Sequence, residues 1–131
     1  MKPLDKTRAY EVAHATVDAW NSHDLERILE HYADDCVLVS PVALDRLGDA
    51  TVRGKAALRA YFGMGLAAHP ELRFDLKDVM WGVSSVVLYY ANQRGSMTGE
   101  FMEIDAAGKI SRVVATYNAE VGARKSLGEH E

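Results

Sequence analysis

Apolar positions along this chain recur first with a helical period and later with a strand period. From Asp5 to Asn21, Ala9, Ala13 and Val17 stand four residues apart, and Val12, Thr16 and Trp20 form a second row beside them. Residues so spaced share one helix face. A long helix therefore turns a broad stripe toward a core, with one hydroxyl, Thr16, inside the stripe. Asn21-Ser22-His23-Asp24 breaks the pattern, and Asp24 is suited to cap a second, shorter helix. In that helix Leu25, Ile28, Leu29 and Tyr32 fall at i, i+3, i+4 and i+7. Cys36 to Ser40 reads as a short strand stopped by Pro41, which has no N–H to give to a ladder. Val42 to Arg53 holds no sustained period and reads as a loop with room for one short strand. A third helix follows Gly54, with Leu58, Tyr61, Phe62 and Leu66 on its apolar face, and Pro70 ends it. Gly63 and Gly65 weaken its second half by roughly 1 kcal/mol each.

The remainder alternates with period two. Leu72, Phe74 and Leu76 share one parity, and Val79 and Trp81 the other, which predicts a bulge near Lys77-Asp78. Ser84 to Gln93 is apolar in both parities through Val86-Val87-Leu88-Tyr89-Tyr90, the pattern of a strand covered on both faces. Met97 to Ile104 and Lys109 to Ala119 flank Asp105-Ala106-Ala107-Gly108, a hairpin loop with a glycine free to take positive φ. The predicted fold is α+β: helices covering one face of a strongly curved, mostly antiparallel sheet, in the order α-α-β-α-β-β-β-β. A sheet wrapped around a long helix leaves a conical cavity open at one end, a natural small-ligand site.

Composition narrows the function classes without naming a chemistry. The chain has 131 residues, 48% hydrophobic and 26% charged, and fits one globular domain. That domain is expected over residues 1–121, with 122–131 a polar tail that frays. A formal charge of -4 argues against nucleic acid, whose phosphates need a basic surface. No run approaches the roughly 20 apolar residues of a membrane span, and the opening residues lack the apolar core of a secretion signal. Cys36 is the sole cysteine, so no intrachain disulfide forms, which suits a cytoplasmic location. The histidines have no metal-ligand spacing and the glycines form no phosphate-binding fingerprint, so neither a metal nor a cofactor is expected.

Three segments carry a resemblance. Trp20-Asn21-Ser22-His23-Asp24-Leu25 with His31-Tyr32-Ala33-Asp34-Asp35-Cys36-Val37 resembles the opening of the nuclear transport factor 2-like superfamily. Arg53 to Phe62 resembles its third helix, and Phe101 to Tyr117 its last two strands. The resemblance implies a cone-shaped, cystatin-like α+β domain of the SnoaL-like or ketosteroid isomerase-like kind, pairing sheet to sheet as a homodimer. It does not fix an activity, because isomerases, dehydratases, polyketide cyclases, epoxide hydrolases and non-catalytic binders share the fold. In ketosteroid isomerase, a standard example of pKa tuning, an aspartate base precedes a proline on the first strand. The matching residue here is Ser40. The oxyanion-hole tyrosine of that family falls on Thr16, and its protonated aspartic acid on Glu100. The matching wall positions are Trp20, Tyr61, Met102 and Tyr117.

Glu100 is the candidate acid-base group. If it shares the inward parity of Met102 and Ile104, its carboxyl loses hydration and its pKa rises into a useful range. Otherwise it is a solvated strand residue or a partner of Arg94 or Arg112. Thr16, Trp20, Ser40, Tyr61, Met102 and Tyr117 are the candidate substrate-binding residues, although aromatic residues at such spacings also serve as plain core. Two readings follow. One is an isomerase, dehydratase or cyclase acting on an apolar cyclic compound, with Glu100 moving a proton and Ser40 and Tyr117 orienting an oxygen. The other is a non-catalytic ligand-binding or dimerisation domain of the same fold.

Overall fold

The computed structural model describes residues 2–121; the predicted polar tail lies outside them. Four helices and six strands follow in the order α1 (Lys6–Ser22), α2 (Leu25–Leu29), β1 (Tyr32–Val39), α3 (Pro41–Leu47), β2 (Thr51–Arg53), α4 (Lys55–Ala68), β3 (Asp75–Trp81), β4 (Ser85–Ala91), β5 (Met97–Ile104) and β6 (Ile110–Tyr117). The sheet runs β2-β1-β6-β5-β4-β3 and is open at both edges. Its pairs are antiparallel except β1 with β6, which run parallel. Among the described residues no helix is long and apolar enough to cross a membrane.

Local chemistry sets the helix ends. Asp5 and Asp24 accept hydrogen bonds from the N–H groups of Arg8 and Arg27, capping α1 and α2. Helix α1 stops at His23, which takes a left-handed φ of 61°. Its Nε2 donates to the Leu72 carbonyl at 2.7 Å. Beside it, Asn21 acts as a surrogate strand residue: Nδ2 donates to the Phe74 carbonyl at 2.9 Å, and Oδ1 accepts from the Phe74 N–H at 2.7 Å. The C-terminal end of α1 is thus tied to the segment that leads into β3.

Two expectations are corrected. Pro41 does not simply end a strand: it is the first residue of α3, where its missing N–H costs nothing. Ser40 caps that helix, and Gly48 closes it with φ 76°. The stretch read as loop therefore holds a helix as well as the short strand β2. Tyr32, read as the last apolar residue of a helix, instead opens β1 and is buried there. The bulge anticipated near Lys77 is present as a register shift between Leu76 and Asp78, and Gly108 in the last hairpin takes φ 81°.

The concave face carries the core. Leu88, Met102 and Val113 are fully enclosed, with Val79, Val86, Ile104 and Ile110 beside them. Helix α1 packs on β3 and β4, whereas α4 packs on β1 and β2. The two helices diverge over the middle of the sheet. On the convex face, register aligns Met80, Val87, Phe101, Val114 and Val39 in one row across five strands. Among the described residues strand β4 is therefore covered on one face alone, against the expectation of two: Val86, Leu88 and Tyr90 are buried, while Tyr89 is 45% and Met80 on β3 60% exposed.

The Asn21 clamp yields a first prediction. Asn21→Ala removes two hydrogen bonds to backbone groups, each worth about 1 kcal/mol, and leaves both Phe74 groups without their partner. Urea unfolding is expected to show a loss of about 2 kcal/mol with an unchanged denaturant slope. A loss under about 0.5 kcal/mol would mean that the clamp is ornamental.

Candidate functional site

Between the C-terminal end of α1, helix α4 and the middle of the sheet lies a cavity of about 180 Å³. Its floor is the inward face of β5 and β6, where Thr98, Glu100, Ala115 and Tyr117 point the same way. Its walls are aromatic. The Trp20 ring meets Phe62 edge-on at 4.8 Å between centroids, and Phe74 lies 4.4 Å from Tyr90. Such contacts hold large rings in fixed orientations, so the space is shaped before any ligand arrives.

Among the described residues Glu100 supplies the cavity's one carboxyl. It sits in a row with Val79, Leu88 and Ala115, and the Tyr90 hydroxyl donates to Oε1 at 3.5 Å, a long contact. Burial disfavours the charged form and pushes its pKa from the model-compound value of 4.5 up to about 7; the bond from Tyr90 offsets little of this. The carboxyl is thus close to evenly shared between acid and base at neutral pH. The surrounding phenols move the opposite way from reactive anions. Burial, with the nearby Glu100 carboxylate second, raises Tyr90 and Tyr117, and burial raises Tyr61, so all three stay protonated and able to donate.

Five of the seven residues singled out from sequence line the cavity: Trp20, Ser40, Tyr61, Glu100 and Tyr117. Ser40 is less free than expected. Its Oγ accepts from the Val42 N–H at 3.1 Å as the α3 cap. Its nearness eases the ionisation of Tyr61 and Tyr117 slightly, against the larger effect of burial. Thr16 and Met102 do not reach the cavity. The Thr16 hydroxyl returns to its own helix, donating to the Val12 carbonyl at 2.8 Å, and Met102 is fully enclosed in the core.

Sequence reading missed part of the lining. Phe62 and Phe74 were legible as apolar positions, and Tyr90 follows from the parity of β4. Arg46 and His69 had no signal, because one sits on the unrecognised α3 and the other just past α4. Both line the cavity. Their contact is 2.8 Å, between Arg46 Nη2 and His69 Nε2.

With this geometry in place, the family assignment follows from comparison. The profile of the SnoaL-like domain matches residues 13–122, nearly the whole described chain. The chain belongs to the SnoaL-like family. A SnoaL-like protein of unknown function from Burkholderia thailandensis E264 is 30% identical, with a TM-score of 0.86 over 90% of this chain and all (100%) of that one. A nuclear transport factor 2-like protein of unknown function from Mesorhizobium loti is 20% identical, with a TM-score of 0.69 over 89% of this chain and 97% of that one. SalBIII, an epoxide hydrolase/cyclase-like enzyme in pyran ring formation in the polyether salinomycin, is 18% identical, with a TM-score of 0.68 over 87% and 93%. A search of curated proteins finds no match. The last two likenesses establish the cone-shaped, cystatin-like fold of this SnoaL-like domain and nothing about its chemistry.

The raised Glu100 pKa has a consequence for stability. The folded state holds a proton that the unfolded chain releases above pH 4.5, so folding stability falls as pH rises from about 4.5 through about 7. Glu100→Gln removes that loss. The variant is expected to be more stable than the parent at pH 8 by on the order of 3 kcal/mol, with the advantage gone at pH 4. Urea midpoints at the two values check this; equal differences at both pH values would contradict a buried, shifted carboxyl.

Proposed function

We propose that this SnoaL-like domain is a small-molecule enzyme of the isomerase, dehydratase or cyclase type, acting on an apolar cyclic compound that carries a carbonyl. The observation that carries the reading is a lone carboxyl, Glu100, held near pKa 7 in an aromatic cavity lined by protonated phenols. A base is most effective when its pKa lies near the working pH. In its ionised form Glu100 removes a proton from the carbon beside the carbonyl. The electron pair of that C–H bond moves into the carbonyl, forming an enolate whose oxygen accepts hydrogen bonds from Tyr61 and Tyr117. Glu100, now protonated, returns the proton to the same or a neighbouring carbon, and the carbonyl or a shifted double bond is restored. Trp20 and Phe62 hold the ring by contact area. Donors already aimed at the developing charge need no reorganisation in the transition state, which is the usual source of the largest rate effect.

The same reading includes a homodimer. The row Met80, Val87, Phe101, Val114 and Val39 spans five strands on the convex face, and no helix among the described residues covers it. A contiguous apolar patch of this kind is rare on a monomer, and a second copy of the same face covers it with self-complementary contacts.

Two measurements test these statements. Proton exchange from D2O into the carbon beside the carbonyl of one- and two-ring ketones, followed by NMR, is expected to be faster with protein than without. Glu100→Gln should lower the catalysed rate by 10²-fold or more while leaving ketone binding within about threefold. Binding without exchange in the parent would favour the non-catalytic reading. For assembly, sedimentation equilibrium is expected to give twice the chain mass, and Tyr89→Lys with Val87→Lys to give the chain mass. A parent protein that stays monomeric across concentration would refute the dimer.

A further inference from the structure

The cavity carries charge of both signs. Glu100 is its one carboxyl, whereas Arg46 and Arg94 are cations of the lining, with His69 beside them. Arg94 is exposed on the turn between β4 and β5, and Arg46 and His69 are half-buried. The cationic groups therefore mark the mouth.

Arg46 is held in an unusual way for an arginine. It forms no ion pair with any carboxylate among the described residues. Its one side-chain hydrogen bond goes to His69 Nε2 at 2.8 Å. A guanidinium cannot accept a hydrogen bond and does not lose its proton, so Nε2 must be the acceptor and His69 the neutral tautomer protonated at Nδ1. Burial and the positive charge of Arg46 and Arg94 favour that neutral form, against the opposing charge of Glu71. Arg46 thus keeps a full charge while its partner neutralises none of it. The guanidinium also lies against α4 at Gly65, where an added Cβ would stand 3.8 Å from Nη1. The second glycine of Gly63-x-Gly65, unexplained by helix propensity, sits where the arginine side chain comes down on the helix. Among the described residues the contact with His69 is the guanidinium's hydrogen bond, and its charge is felt at the Tyr61 and Tyr117 hydroxyls.

We infer that Arg46 is a specificity residue that binds a carboxylate on the ligand, so that the natural ligand is an apolar ring compound bearing an acid group at the cavity mouth. The inference rests on the reading of this cavity as the ligand site and narrows its ligand class. A carboxylate suits the planar fork of arginine, which can give it two parallel hydrogen bonds. An acid at Arg46 also orients the ring, leaving its far side at Glu100 and the phenols. Like charge disfavours the reversed pose wherever Glu100 is ionised, as it mostly is at pH 8, because a carboxylate pushed to the floor would meet it.

A matched pair of probes tests this: 1-naphthoate and 1-naphthylmethanol, equal in ring and differing in charge, titrated by NMR at pH 8. The parent is expected to bind the acid 10- to 100-fold more tightly, the range of a charge-assisted hydrogen-bond pair. Arg46→Met, which keeps the stem and removes the charge, should abolish that preference while binding the alcohol as the parent does. Equal affinity of the parent for the two probes would overturn the inference, as would an unchanged preference in Arg46→Met. If Arg46→Met loses the alcohol too, Arg46→Lys decides: it should restore alcohol binding with a reduced preference, and a full preference there would overturn the bidentate role. The carboxylate preference does not depend on turnover, so absence of ketone exchange would remove the proposed reaction and leave this inference standing.

Discussion

Strand alternation is the constraint on which the rest of this molecule depends. Successive side chains of β5 must point to opposite faces, so burying Met102 and Ile104 in the core obliges Glu100 and Thr98 to face the same way. Each large apolar side chain gains roughly 1.5–3 kcal/mol on burial, and Val86, Leu88 and Val113 join them across the register. That sum outweighs the cost of desolvating one carboxyl, which takes up a proton instead of forcing the strand out of register. The phenols then complete the cavity as polar groups that need not ionise. One register thus determines where the sheet is apolar, where its buried carboxyl stands, and at what pH that carboxyl changes charge.

The gap between the helices leaves an open space above the carboxyl. Helix α1 covers β3 and β4, α4 covers β1 and β2, and the centre of the concave face is left to aromatic side chains. The Asn21 and His23 contacts hold the end of α1 against the chain entering β3, which places Trp20 as a wall. Helix α3 closes the other side and brings both the Ser40 cap and Arg46 to the cavity. The carboxyl at the floor and the cations at the mouth therefore come from different parts of the chain, and only the fold puts them in one volume.

Much of this was legible in the residues, and the failures have physical causes. The spacing of Ala9, Ala13 and Val17, the Asp24 cap, the parity switch at Lys77 and the loop at Asp105 each report a local rule that the structure obeys. Parity with Met102 and Ile104 offered an inward Glu100 beside a solvated alternative, and the cavity lining decides between them. Helix α3 was missed because proline was read as a stop, although Ser40-Pro41 with Gly48 is equally a cap, a first-turn proline and a terminator. At seven residues, α3 is too short for periodicity to speak. Missing it also hid Arg46. Thr16 and Met102 were assigned to the cavity by resemblance, and both are core, because a shared fold does not carry the depth of each wall position.

The account turns on the charge state of one side chain. Titrating the parent protein labelled with ¹³C at glutamate carboxyls, with Glu100→Gln for assignment, reads that state directly. The Glu100 resonance is expected to shift with a midpoint of about 7, well above the ordinary 4.5. A midpoint near 4.5 would mean a solvated carboxylate, and neither the acid-base role nor the pH-dependent stability would survive it.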